Sequence, residues 1–166
     1  MRDAPASAVR DLRDDERGWL REHLTLAWGS PLMMSRGREH DAARLPALVA
    51  VRGEELAGLA TYRPEGAHCE LVSLEAFERG RGVGTALLDA VAARARDAGA
   101  TRLWLVTTND NVDALRFYQR RGLRLVAVHR GAADRARLRA PAIGLVGAHG
   151  IEIHDELELE LALSPR

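Results

Sequence analysis

Apolar positions follow two rhythms along this chain. Between Asp14 and Trp28 they recur every three or four residues, placing Trp19, Leu20, Leu24 and Ala27 on one side. That spacing predicts an amphipathic helix, which Gly29-Ser30-Pro31 stops. Ahead of it, Ala6–Leu12 reads as a short strand. Ala47–Val51 and Leu56–Tyr62 are compact apolar runs separated by Arg52-Gly53-Glu54-Glu55, the pattern of a hairpin. Pro64-Glu65-Gly66 turns the chain into a third run, His68–Phe77. A glycine-rich stretch then opens a second helical pattern, closed by Asp97-Ala98-Gly99. Arg102–Thr107 predicts a buried strand, Val112–Arg121 a short helix ended by Gly122, and Leu123–His129 another strand. Ser35–Arg44 reads as a polar loop and Gly131–Gly150 as a basic, less regular stretch whose arginines lie on the surface.

The chain closes on Ile151–Leu163, where Glu156, Glu158 and Glu160 alternate with Leu157, Leu159 and Leu161. Strand side chains alternate faces, so one face is acidic and the other apolar. The acidic face is read as facing water, with a carboxylate at a site mouth, attracting a cationic amine, as the second reading. The order β-α-β-β-β-α-β-α-β-β predicts one mixed sheet with helices on its faces.

Composition narrows the function classes. The 166 residues carry 24 basic and 24 acidic side chains, every basic one an arginine. A net charge of zero argues against nucleic acid or an anionic membrane as a partner. Apolar residues make up 46% and charged ones 29%, which fits a globular chain forming one domain over residues 1–166. No apolar run approaches the roughly 18 residues of a membrane span, and the first residues are too charged for a signal peptide. The single Cys69 excludes an internal disulfide and fits a cytoplasmic setting. Alternation turns Cys69 away from His68 and Glu70, so it is read as a buried structural thiol, not a nucleophile.

The glycines at 80, 82 and 84 raise a chemical question. A Walker loop needs a lysine, and the chain has none. A dinucleotide fingerprint needs a third glycine, but the sixth position is Thr85 counted from Gly80 and Leu87 counted from Gly82. What remains is a strand ending near Phe77, a turn, and a helix beginning near Gly82. The first amides of a helix lack intrahelical partners and carry the positive end of its dipole. Glycines let an anion approach those amides, and Arg79 and Arg81 add charge beside them. A pyrophosphate fits; a plain glycine turn ahead of a helix is the other reading.

Arg79-x-x-Gly82-x-Gly84 at a strand-to-helix junction resembles motif A of the GNAT superfamily of N-acetyltransferases. Asn111-x-x-Ala114-x-x-Phe117-Tyr118, with Gly122 four residues later, resembles its motif B. Gly122-Leu123 stands where the family usually has Gly-Phe. The likeness covers Ala47–Val128 and, by order of elements, the N-terminal strand and helix. It implies an α/β (α+β) domain with a mixed, mostly antiparallel sheet flanked by helices. That sheet is split between the family's fourth and fifth strands, here His68–Phe77 and Arg102–Thr107.

It also implies acetyl-CoA as co-substrate, without a metal, and an amine acceptor, either a small molecule or a peptide or protein. A homodimer stays open. In this reading a bulge frees backbone groups around Leu74 for the pantetheine amides, and the amides of Gly80, Arg81, Gly82, Val83, Gly84 and Thr85 hold the pyrophosphate. Asn111 touches the pantetheine arm, caps its helix, or does both. Tyr118 stands by the sulfur as a hydrogen-bond donor, with core packing as the alternative. Trp28, Met33 and Met34 line the acceptor side or pack in the core.

Transfer is expected to be direct, in a ternary complex. An alkylammonium titrates near 10, and only the free amine attacks a thioester, so a base is needed. Glu70 is the candidate and His68 the runner-up. Glu75 would serve only if a bulge turned it to the same face. The rival to an enzyme is a silent module that binds an acyl-CoA without turnover.

Overall fold

The computed structural model describes residues 7–164. A seven-stranded sheet runs in the order β1-β4-β5-β6-β7-β9-β8. Its strands are β1 (Ala8–Asp11), β4 (Ala47–Arg52), β5 (Glu55–Glu65), β6 (His68–Ala76), β7 (Arg102–Thr108), β8 (Arg124–His129) and β9 (Glu156–Ala162). β2 (Leu32–Ser35) and β3 (Arg38–Asp41) form a separate hairpin. The helices are α1 (Arg17–Trp28), α2 (Val83–Asp97), α3 (Val112–Gln119) and α4 (Ala132–Arg137). Ala6, expected to open the first strand, lies outside the described residues.

Each face of the sheet is closed by the helix whose apolar stripe the sequence predicts. Leu20 and Leu24, one turn apart on α1, are fully buried against Val49 and Leu59. Leu87, Leu88 and Val91 of α2 pack with Leu48, Leu71, Leu103 and Leu105 on the other face. Each such side chain contributes roughly 1.5–3 kcal/mol of burial. Cys69 is among them, fully buried, and burial pushes its thiol up to about 11. It is a structural thiol.

The site is prepared by an irregularity in the sheet. All strand pairs are antiparallel except β6–β7, which run parallel and pair only at His68–Arg102, Cys69–Leu103 and Glu70–Trp104. Beyond Glu70 the two strands part. On the β5 side, Leu71 pairs with Tyr62 and Ser73 with Thr61, leaving Val72 as an extra residue. Such a bulge bends its strand and shifts the face alternation by one. Glu70 and Glu75, of opposite parity, therefore point to the same side, where His23 of α1 meets Glu75 at 2.8 Å.

Three expectations are corrected. The Ser35–Arg44 segment is half of a hairpin, turned by Arg36 and Gly37, both at positive φ (49° and 76°). The basic stretch contains α4, which buries Ala132, Ala133 and Ala136. The last strand starts at Glu156, not Ile151, and its acidic face is covered: Glu156 and Glu158 are each 4% exposed. Glu158 takes Arg102 at 2.6 Å and His129 at 2.7 Å. Burial alone would raise its pKa, but those two partners outweigh it and hold the carboxyl below its ordinary value.

Candidate active site

Where β6 and β7 part, a cavity of about 820 Å³ opens. Leu71–Leu74 form one wall and Leu105–Thr108 the other. Trp28, Met33 and Met34 close it from the α1 side, together with the 139–144 segment. Arg137 holds that segment in place by donating to the carbonyls of Ile143, Gly144 and Ile153 at 2.8–3.0 Å. Arg139, also on the wall, donates to the Gly37 carbonyl at 3.3 Å. Both arginines were expected on the surface: Arg139 is exposed, as expected, whereas Arg137 is half-buried and acts as a structural tie.

At the C-terminal end of β6 the chain turns through Gly80 and Gly82, at φ 77° and 75°, into α2. The first helical bond is Ala86 N–H to the Gly82 carbonyl, 3.0 Å, so the amides of Val83, Gly84 and Thr85 have no partner within the helix. A Cβ placed on Gly80 or Gly82 would meet nothing within 4 Å. Gly84 differs: its Cβ would lie 3.2 Å from the Phe117 ring, so its bareness seats that ring. Arg79 and Arg81 are exposed around the turn, each loosely facing an acid (Asp113 at 3.7 Å, Glu78 at 3.6 Å). Arg121 adds a cation that the sequence reading missed. Its Nε donates to Thr85 Oγ1 at 2.7 Å while its guanidinium lies 3.7 Å over Phe117. The signal for it was its place one turn after Phe117.

Tyr118 lines the cavity and is 8% exposed. Burial raises its phenol above the usual tyrosine range, so it is a neutral donor at every physiological pH. Asn111 also lines the cavity, and it caps α3: Oδ1 accepts from the Ala114 amide at 3.3 Å while Nδ2 donates to Thr107 Oγ1 at 3.1 Å. Leu74 is on the wall with its bulged strand, as expected.

The two base candidates lie elsewhere. His68 is exposed at the closed end of the β6–β7 junction. Glu70 sits at the apex, 1% exposed and absent from the cavity wall. Its carboxylate accepts from the Ser35 hydroxyl and from Arg63 Nη2 at 3.1 Å, with His40 Nε2 at 3.5 Å. It is on the predicted face, but the β2–β3 hairpin and Arg63 enclose it. Glu75 faces the same side and is held by His23.

Comparison with known proteins agrees with this geometry. The profile of the Acetyltransferase (GNAT) family matches residues 7–123. The chain belongs to this family. Among curated relatives, "Uncharacterized protein YdhI" of Bacillus subtilis (strain 168) is 40% identical over 131 residues, 78% of this chain and 82% of that protein. "Uncharacterized protein YxbD" of the same organism is 37% identical over 133 residues, 80% and 84% of the two chains. Among solved structures, an IAA acetyltransferase from Bacillus cereus ATCC 14579 superimposes with a TM-score of 0.73 at 20% identity, covering 95% of this chain and 99% of that one. A Bacillus subtilis acetyltransferase in complex with CoA gives 0.70 at 20% identity, with the same coverage. These likenesses establish the GNAT fold.

The family match ends at Leu123, yet this GNAT chain draws part of its cleft from later residues. Ala133, Ile143, Ile153 and Glu156 all line it. Asp110 ties this region down: its Oδ2 accepts from the Ala148 amide at 2.9 Å, and any side chain on Gly147 would collide with it.

Proposed function

We propose that this chain transfers an acetyl group from acetyl-CoA to an amine, directly, within a ternary complex. The observation that carries the reading is the parting of β6 from β7 beside the unpaired amides of α2. One edge of a bent strand, a cavity and a set of helix amides without partners in the helix lie near one another, which supports a site for an extended pantetheine with a pyrophosphate at its end. Those residues fit acetyl-CoA: Leu71–Leu74 offer strand-edge groups to the pantetheine amides, and Val83–Thr85 offer N–H donors to the pyrophosphate. Arg79, Arg81 and Arg121 supply charge around it.

When bound, acetyl-CoA brings an activated acyl group. The chain's own residues do the rest. The apolar wall of Trp28, Met33 and Met34 takes the body of the amine and excludes water. Tyr118 donates a hydrogen bond to the sulfur as it gains charge. Full proton transfer from this phenol is disfavoured, because a free thiol titrates near 8.5 and a raised tyrosine lies well above 10. Cys69 is too deeply buried to carry the acetyl group, which supports direct transfer. The acceptor is a small amine or a peptide amine.

The test is release of free CoA thiol from acetyl-CoA with a panel of amines: aliphatic diamines, arylalkylamines, amino acids and a peptide with a free N-terminus. Thiol release that depends on one amine class, with the N-acetyl product identified by mass, supports the enzyme. Calorimetric binding of acetyl-CoA with no amine-dependent thiol release identifies a silent acyl-CoA-binding module instead.

A further inference from the structure

We propose that Glu156 is the residue that takes the proton from the acceptor amine, an inference that rests on the acetyl-transfer reading above. Three carboxylates line the cleft among the described residues: Glu39, Asp110 and Glu156. Glu39 is exposed, where water competes for any cation it meets. Asp110 is tied to the Ala148 amide, and its second oxygen is sealed from solvent without a partner. Glu156 alone joins the two requirements of a base, burial and access. It is 4% exposed; its Oε2 accepts the Arg36 amide at 3.0 Å, which fixes the side chain. Its Oε1 takes no protein hydrogen bond among the described residues and is not sealed.

Position supports the role. Glu156 opens β9 directly across from Thr108 on β7, and residues paired across antiparallel strands share a face. Thr108 and Glu156 both line the cleft, at the end where β7 has left β6. The face is the one covered by the β2–β3 hairpin, so Glu156 and the Met33–Met34 wall address the same space.

The surrounding charges are Arg36 of the hairpin turn, His129 of β8, Glu70 of β6 and Arg135 of α4, with Glu158 next along the same face of β9. Burial is the largest influence on the Glu156 carboxyl and raises its pKa. The Arg36 amide, His129 and Arg135 act the other way, and the Glu70 charge adds to the rise. An ordinary glutamate and an alkylammonium differ about 10⁶-fold in proton affinity, and this environment narrows the gap from both sides. It strengthens the carboxylate as a base, and the apolar wall makes the ammonium a stronger acid.

The protons balance as follows. The ammonium gives one proton to Glu156, which passes it to water. The nitrogen lone pair then forms the C–N bond to the acetyl carbon as the C–S bond breaks with its pair on sulfur. The second N–H proton is lost through water to that sulfur, which leaves as the thiol.

The experiment follows kcat and kcat/KM between pH 5 and 9 with an amine that the panel finds active. Glu156→Gln is expected to lower turnover at pH 7 by roughly 10²–10⁴-fold. Calorimetric affinity for acetyl-CoA should stay within about threefold. Turnover should recover about tenfold per pH unit on the alkaline side, as free amine accumulates. The wild-type acid limb, which levels off once Glu156 is ionised, should lose that plateau and become one unbroken rise. Glu156→Asp keeps the plateau at a rate at least tenfold lower, and decides the matter should the glutamine variant fail to fold. An active wild type whose pH profile survives in Glu156→Gln, or an aspartate variant at full rate, overturns this assignment alone. A wild type that binds acetyl-CoA but releases no thiol with any amine overturns the functional reading, and this assignment with it.

Discussion

In the reaction proposed above, the hydrogen bond to sulfur rests on one buried hydroxyl, that of Tyr118. Tyr118→Phe keeps the ring that packs edge-on against Phe117 and removes only the donor. Turnover is expected to fall roughly 10- to 1,000-fold with acetyl-CoA affinity unchanged, read by thiol release and calorimetry. Full activity in the variant would reduce Tyr118 to packing. Its place on the cavity wall was legible from the Asn111…Tyr118 spacing, because a short motif on one helix keeps its geometry wherever the helix sits. Glu70 was legible only in part. Alternation gave its face, but its isolation depends on Ser35, His40 and Arg63, which come from three other strands. Glu156 was legible only as the second reading for the same reason: Glu-Leu alternation describes a solvated strand face until a hairpin covers it.

At the level of single elements, Gly82 of the turn and Gly84 in the first turn of α2 separate into distinct roles. A side chain at Gly82 enters open space in front of the helix and also forces φ 75° on a residue with a Cβ, at about 1–2 kcal/mol. Gly82→Val is therefore expected to weaken acetyl-CoA binding tenfold or more while the protein stays folded. Gly84→Val should instead lower the melting temperature first, since the new side chain overpacks Phe117 at a cost of about 1–3 kcal/mol. Calorimetry and thermal unfolding on both variants separate the two. Unchanged affinity in folded Gly82→Val would remove the pyrophosphate site from this turn.

The single 3-10 turn that leads into α1, Asp14–Glu16, is held by an ion pair. Glu16 accepts from both Arg10 terminal nitrogens (2.7 and 2.8 Å) and from the Arg13 amide (2.9 Å), half of a capping box. The Arg10 bonds, against some opposition from burial, bring its pKa down to about 2. A depressed carboxylate stabilises the fold above its unfolded pKa, near 4.5, and loses that contribution as the pH falls toward 2. Glu16→Gln should thus cost about 1 kcal/mol at pH 7, after allowance for solvent screening. The difference should close by about pH 2 in urea titrations. A gap that persists in acid would assign the loss to shape, not charge. Elements with strong periodicity, α1, α2 and β7, were readable in advance. The β2–β3 hairpin was not, because Arg36-Gly37 is an unusual pair for a tight turn with two positive φ values. The parity of β6 was likewise beyond the sequence, since Val72 looks like any other strand valine until its neighbours are paired.

Taken whole, the molecule is two sheets nearly as much as one. Four strands, β1-β4-β5-β6, and three, β7-β9-β8, meet through three residue pairs at the β6–β7 junction. By contrast β7 and β9 share seven pairs. The alternating order of elements made the mixed sheet readable, but no local pattern announces where two strands stop touching.

A ligand threaded through that gap would supply the hydrogen bonds that the missing strand contacts leave unmade, acting as a rung between the halves. Amides on the open edges of β6 and β7 would then exchange with deuterium far more slowly once acetyl-CoA is bound, while those of β4 and β9 would hardly change. The substrate would also be a strut: each round of product release would briefly loosen the joint that the next molecule of acetyl-CoA closes.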